Sequence, residues 1–393
     1  MTKKIFVFSL ILIFAINISY LNLVWDVKYI GWLINVTYLM GIPLLLSSTY
    51  KKGNKVERLY IGVMFFGMIL HAILPEKEKY PVTDALQWIF LAVIVIASRK
   101  YYTPRFMFYI LIAFFISHCV LAVIEYKMQM NLFDYSYVAK FNEFSAKMDF
   151  RAFGLMEHPL YSANVTLIIM SFIMISKDIN WVLKILLLLL GSLAMISFNS
   201  RTATIILGCL LIYRYVLYNL KPIYIIVLGT LVYTLFLNDF TYFIQQNSNI
   251  FGRLAEKNNL TDDSSLTRLM SYFFFWNERW SFQDIVFGGR TIYMPGTEVS
   301  IENGILLTIA WWGWIVGVLK VILELIISYL CLKKYNIKDK LIVMIACWVT
   351  AFANNNSINT FVFAFFIVSF LSINSLANNK YNKVKKLSPI LEK

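Results

Sequence analysis

Runs of about 20 apolar residues recur along this chain from one end to the other, and that spacing leaves few folds open. About 20 apolar residues in a helix reach across the ~30 Å hydrocarbon core of a bilayer. No water serves the backbone there, so each run must satisfy its own N–H and C=O groups as a helix. With 59% of its residues hydrophobic and only 15% charged, the chain lacks the charged surface that keeps soluble domains apart. The expected fold is all-α: a polytopic transmembrane helical bundle over residues 1–393, with no internal repeat and no Gly/Ser- or Pro-rich linker to divide it.

Spans are expected at roughly 5–24, 29–47, 58–75, 84–98, 105–125, 159–176, 182–198, 202–220, 222–238, 303–331, 340–354 and 357–376, about twelve in all. The first run, MTKKIFVFSLILIFAINISYLNLVW, has no small-x-small cleavage site and reads as an uncleaved span. Lysine and arginine orient the bundle. Lys3, Lys4, Lys51, Lys52, Lys55, Arg58, Arg99, Lys100 and Arg105 gather on one side, as do Lys333, Lys334, Lys338, Lys340 and the tail lysines. The short loops of the other side hold only Lys28, Lys77, Lys79 and Arg201. The positive-inside rule then puts both termini in the cytoplasm, an outer loop at about 126–158, and a long outer loop with interfacial helices at about 239–302.

A net charge of +14 would suggest nucleic acid as partner of a soluble protein; here the cytoplasmic lysines account for it, and no nucleic-acid partner is expected. Membrane lipid is the expected contact, including anionic headgroups for the tail NNKYNKVKKLSPILEK. Cys119, Cys209, Cys331 and Cys347 sit in or at the ends of apolar runs and offer neither a disulfide framework nor a CxxC metal site. There is no Walker loop and no HExxH, and Asp262-Asp263 reads as a helix cap, so no metal and no cofactor is expected.

The chemistry-bearing residues flank spans on the outer side. Arg201, in SFNSRTAT, falls in a very short turn where the next helix begins with Ser200 or Asn199 as cap. An arginine beside the positive end of a helix opposes the dipole, whereas arginine and free N–H groups together suit an anion; snorkelling is the alternative. In the long loop, TDDSSLTRLMSYFFFWNERWSFQDIVFGG starts a helix at Asp262, Asp263 or Ser264 and carries Arg268 beside an apolar face, so it reads as interfacial. Arg268 there is either an anion ligand or a solvated surface residue. RAFGLMEHPLYSAN brings Arg151, Glu157 and His158 to the start of the sixth span. His158 is a candidate general base or a structural residue; His71 and His118 read as buried hydrogen-bonding residues. Glu302, in IENG, either complements the helix dipole or removes a proton from a hydroxyl. Lys320 and Glu324 are spaced to pair on one helix face, near the inner boundary.

The order of these motifs resembles the O-antigen polymerase and O-antigen ligase superfamily: RxFGxxxHPxxxA before a span, NSRTAT between spans, DDSSLTR and FGG in a long loop, then ENG and WGxxxG. The resemblance runs from about Arg151 onward. It implies a metal-independent inverting glycosyltransferase of a bacterial inner membrane that takes a glycan from undecaprenyl pyrophosphate on the periplasmic face, with a chain-length regulator protein as a further partner. It puts Arg201 and Arg268 on the leaving pyrophosphate; Arg151 is a further candidate for the pyrophosphate, and Glu302 or His158 are the candidates for the acceptor's proton. The ligase branch carries a late-loop histidine, and none occurs between Asp239 and Asn303, so polymerase is the expected activity. Ligation of finished polymer to lipid A-core and flipping of a lipid-linked oligosaccharide are the alternatives; a transporter would need polar groups across the midplane.

Overall fold

The computed structural model of the protein describes residues 54–73, 105–132, 150–156, 158–219, 263–289, 292, 303–353, 366, 369 and 370, with backbone alone at 71–73, 105–107, 263–269 and 353. Among these the fold is all-α, without a strand. The helices are α1 (Lys55–Ile73), α2 (Arg105–Met128), α3 (Pro159–Ile175), α4 (Trp181–Ser197), α5 (Arg201–Ile212), α6 (Asp263–Asn277), α7 (Phe282–Phe287), α8 (Gly304–Trp312), α9 (Trp314–Cys331) and α10 (Ile337–Ala353). A π-helical turn, Tyr213–Leu217, continues α5. Among the described residues two helical stretches are long and apolar enough to cross a membrane, Phe108–Met128 and Trp314–Cys331; Pro159–Ile175 and Trp181–Ser197 are shorter apolar helices. The spans expected at 5–24, 29–47, 84–98 and 222–238 lie outside the described residues.

α3 is the central helix. It is buried from Ser162 to Ile175 and packs on α2, α4, α5 and α10. The outer helices carry large apolar residues on their outward faces. α9 turns Ile315, Leu319, Ile322, Ile326 and Tyr329 outward at helical spacing while burying Lys320 and Glu324. α4 exposes Trp181, Leu186, Leu189 and Leu193. The Lys320 ammonium meets Glu324 at 2.8 Å, and the Tyr60 hydroxyl of α1 donates to the same carboxylate oxygen at 2.7 Å. The expected pair therefore forms, buried between α1 and α9, where the neighbouring helix supplies the hydroxyl.

Polar contacts fix the helix directions. Arg214, past the end of α5, pairs with Asp339 in the first turn of α10 at 3.0 Å, so the two helices run antiparallel. Thirteen residues separate Arg201 from Arg214, and thirteen separate Asp339 from Phe352, about 20 Å in each helix. Arg201 and Phe352 thus reach the same end of the bundle. The Phe352 carbonyl accepts from Tyr272 of α6 and from the Asn303 side chain, which also caps α8. The C-terminal ends of α2, α4 and α10 and the N-terminal ends of α3, α5 and α8 therefore share one end, to which Tyr272 ties α6.

The expected span 303–331 is two helices. Gly313, at φ +77°, breaks it between Trp312 and Trp314, and the glycine pair that follows α7 fills the break. The Gly289 N–H donates to the Trp311 carbonyl at 2.8 Å, and a Cβ on Gly288 would stand 2.2 Å from the Gly313 nitrogen and 2.4 Å from that carbonyl. Backbone atoms cannot yield to such a contact. Gly288→Ala should cost more than about 2 kcal/mol from the clash and its positive φ. Gly208→Ala, in a helix with open space around it, should be neutral or stabilise by up to about 1 kcal/mol. Thermal unfolding of the two variants in detergent should separate them, with equal Tm values counting against the packing described.

Candidate functional site

The end of the bundle that carries Arg201 is built around an irregular segment, residues 150–156, that enters the protein interior. Ala152 and Phe153 are fully buried and Met156 nearly so. Buried irregular backbone must find hydrogen-bond partners, and here side chains of the neighbouring helices provide them. The Glu125 carboxylate, near the end of α2, accepts the N–H groups of Phe153 at 2.7 Å and Gly154 at 2.8 Å through one oxygen, and that of Leu132 at 3.3 Å through the other. About two turns earlier on α2, His118 Nδ1 accepts the Leu155 N–H at 2.9 Å. The His118 ring is stacked between Phe114 and Phe198, as the expected buried hydrogen-bonding residue. The Ser162 hydroxyl donates back to the Phe153 carbonyl at 2.6 Å. Gly154 holds φ +60°, and a Cβ there would lie 2.8 Å from His118, so the segment can pass this close only as glycine.

The same segment is tied to the turn before α5. The Ala152 N–H donates to the Ser197 carbonyl at 3.0 Å. The next residue, Phe198, stacks on His118, and Asn199, at φ +51°, turns the chain into α5. Ser200 is the cap residue, but its side chain makes no cap hydrogen bond, so no side chain closes the N-terminus of α5 by that route. Arg201 is the first residue of that helix and half-buried. Arg151, next to Ala152, is therefore held beside the α4–α5 turn that leads into Arg201.

His158 stands at the other end of the segment as the N-cap of α3. Its Nδ1 accepts the Leu160 N–H at 3.2 Å, and its ring meets Tyr161 edge-on. A neutral imidazole has one acceptor nitrogen, so this bond leaves the proton on Nε2 and makes that atom a donor. Burial pushes the imidazole down to about 4. A general base needs a free lone pair, which this tautomer offers only by giving up the cap. The geometry thus favours the structural alternative for His158, with Nε2–H as a donor.

Arg268 lies in α6, one turn before Tyr272, which is bonded to the Phe352 carbonyl at the level of Arg201. The backbones of Arg151, His158, Arg201 and Arg268 therefore gather at one end. The Arg268 side chain, Glu157 and Glu302 lie outside the described residues. Asn303, which follows Glu302 in sequence, is buried at this end. Phe275 of α6 is buried against Trp280 and Trp314, while Phe273 and Trp276 face outward.

Sequence reasoning missed Glu125. The signal was present: a carboxylate in the last turns of a helix opposes the dipole, the same mismatch that drew attention to Arg201. Parts of the outer loop expected at about 126–158 are described. α2 continues to Met128, and residues 150–156 are packed inside the bundle.

No family model matches the chain, and no curated protein or solved structure matches it.

The cap and the depressed basicity of His158 give a test. The unfolded imidazole takes up a proton near 6.5 and the folded one only near 4, so the unfolded state binds more protons between those values. Stability should be constant above about pH 6.5 and fall as pH drops toward 4. His158→Asn keeps a capping side chain without a titrating group and should flatten that slope, whereas His158→Ala should lose about 1 kcal/mol at pH 7.5. Tm measured for the three proteins at pH 7.5 and 5 decides it; an unchanged slope in His158→Asn would refute the assignment.

Proposed function

We propose that this chain is a membrane-embedded glycosyltransferase that polymerises undecaprenyl-pyrophosphate-linked oligosaccharide units into a surface polysaccharide at the outer face of a bacterial inner membrane. The observation that carries the reading is the meeting of Arg151, Arg201 and the α6 backbone bearing Arg268 at one end of the bundle, beside a helix N-terminus that the Ser200 side chain does not cap. Arginines and helix N–H groups converging on one place match a ligand with several anionic oxygens. The membrane setting is supported by apolar outward faces on α4 and α9 around buried charges, the reverse of a soluble protein. About twelve spans, both termini cytoplasmic, complete the proposal.

In this mechanism the acceptor sugar hydroxyl attacks the anomeric carbon of the donor glycan. The bond to the pyrophosphate oxygen breaks, and the configuration inverts. Arg201 and Arg268, with Arg151 alongside, stabilise the charge that develops on the departing pyrophosphate. Glu302 takes the acceptor's proton, since the His158 lone pair is used in capping α3. No metal takes part, and the exposed aromatics of α6 border the sugar path. Membrane lipid surrounds the spans, and a chain-length regulator protein is the proposed macromolecular partner.

A planar guanidinium engages two phosphate oxygens at once, while an ammonium acts as a point charge. Arg201→Lys and Arg268→Lys should each cost on the order of 2–4 kcal/mol of transition-state stabilisation. Both variants should accumulate normally in the membrane. In a polymerase-null strain they should give a one-repeat ladder rather than full polysaccharide; a full ladder at normal expression rejects the leaving-group role. A bare core with accumulated lipid-linked polymer in the deletion strain would identify ligation instead. Turnover by purified enzyme should survive EDTA, and loss that magnesium or manganese restores would overturn the metal-free mechanism.

A further inference from the structure

Glu125 has no part in the mechanism above, yet it is fully buried and its carboxylate accepts three backbone N–H groups. Two of these belong to Phe153 and Gly154, in the segment flanked by Arg151 and His158. A second side chain from the same helix, His118, holds Leu155. The segment is attached to the α4–α5 turn through the Ala152–Ser197 backbone bond, and α2 grips it at three consecutive residues. A carboxylate acceptor makes hydrogen bonds roughly twice as strong as a neutral one, so this grip is the strongest fixed point of the segment.

We infer that Glu125 is a positioning residue for anion binding: by holding Phe153 and Gly154 against α2, it sets Arg151 beside Arg201 so that both guanidinium groups meet one pyrophosphate. This rests on the pyrophosphate site proposed above. Glu125 itself touches no substrate, and a carboxylate placed directly on a pyrophosphate would repel it. Its oxygens are instead engaged by the backbone N–H groups of Leu132, Phe153 and Gly154. Glutamine at this position could still offer one oxygen to Phe153 and Gly154, but its NH2 group would face the Leu132 N–H, donor against donor. Alanine would orphan all three N–H groups in the interior.

The test uses the full-length protein in detergent, with inorganic pyrophosphate as probe, measured by calorimetry. Nitroxides at Leu155→Cys and Thr202→Cys report the distance from the segment to the first turn of α5. The parent should bind pyrophosphate, and Arg201→Ala should abolish that binding. Glu125→Gln should keep a cooperative unfolding transition but bind pyrophosphate three- to tenfold more weakly, with a shifted or broadened nitroxide distance. Glu125→Ala should lose binding more than tenfold. A parent that does not bind pyrophosphate overturns the proposed site itself. Given a parent that binds, a folded Glu125→Gln with parental affinity, or with an unmoved distance, overturns the role of Glu125 alone.

Discussion

A carboxylate that meets three backbone N–H groups is the contact on which this end of the molecule depends. Residues 152–155 run as irregular chain through the interior, where an amide without an acceptor costs about 1–3 kcal/mol. Four successive N–H groups find their acceptors in Ser197, Glu125, Glu125 again and His118. Remove that set and the segment has no reason to leave the surface. The consequences spread outward from it. Ser197 fixes the turn into α5, Ser162 returns a proton to the Phe153 carbonyl, and His158 closes the first turn of α3. Three helices are thus registered against one stretch of non-helical chain.

Two further contacts set the rest of the bundle. Arg214 and Asp339, with the Tyr218 hydroxyl also on Asp339 at 3.1 Å, bind α5 to α10 at the end away from the candidate site. Because the helices are rigid rods, a contact at one end fixes what meets at the other, and that is how Arg201 comes level with Phe352 and α6. Lys320, Glu324 and Tyr60 do the same for α1 and α9. Such a buried pair adds little to stability against an apolar replacement, but leaving one charge without its partner is severely destabilising, about 3–5 kcal/mol. That asymmetry penalises every register of α1 on α9 except the one that brings Tyr60 to Glu324.

What the sequence made legible was whatever depends on local spacing. Apolar runs gave all-helical structure, Pro159 gave the start of α3, and the i,i+4 interval gave the Lys320–Glu324 pair. The neighbourhood of Arg151, His158 and Arg201 could be anticipated because each flanks a helix end on the same side. Hidden were features decided by a neighbour distant in sequence. RAFGLM has the composition of a surface loop, and its burial is decided by Glu125 and His118, some thirty residues away. Gly313 sits in an apolar run that reads as one helix, and only the approach of Gly288 and Gly289 shows why the run must break there. His158 read equally well as base or as structure until the Leu160 N–H claimed its lone pair.

The helix dipole offers a more general way to read such a chain. Arg201 is a cation at a helix N-terminus and Glu125 an anion near a helix C-terminus, each on the wrong side of the dipole by some tenths of a kcal/mol. A charge placed against the dipole must be compensated by something the helix itself does not supply. For Glu125 the compensation is visible in three N–H groups from outside its helix turn. For Arg201 the cap residue beside it makes no side-chain cap bond, so the cation and the positive helix end stand together instead of cancelling. One inversion thus points inward, to the architecture of a buried segment. The other puts a cation at a positive helix end, a setting that suits the anionic ligand proposed above.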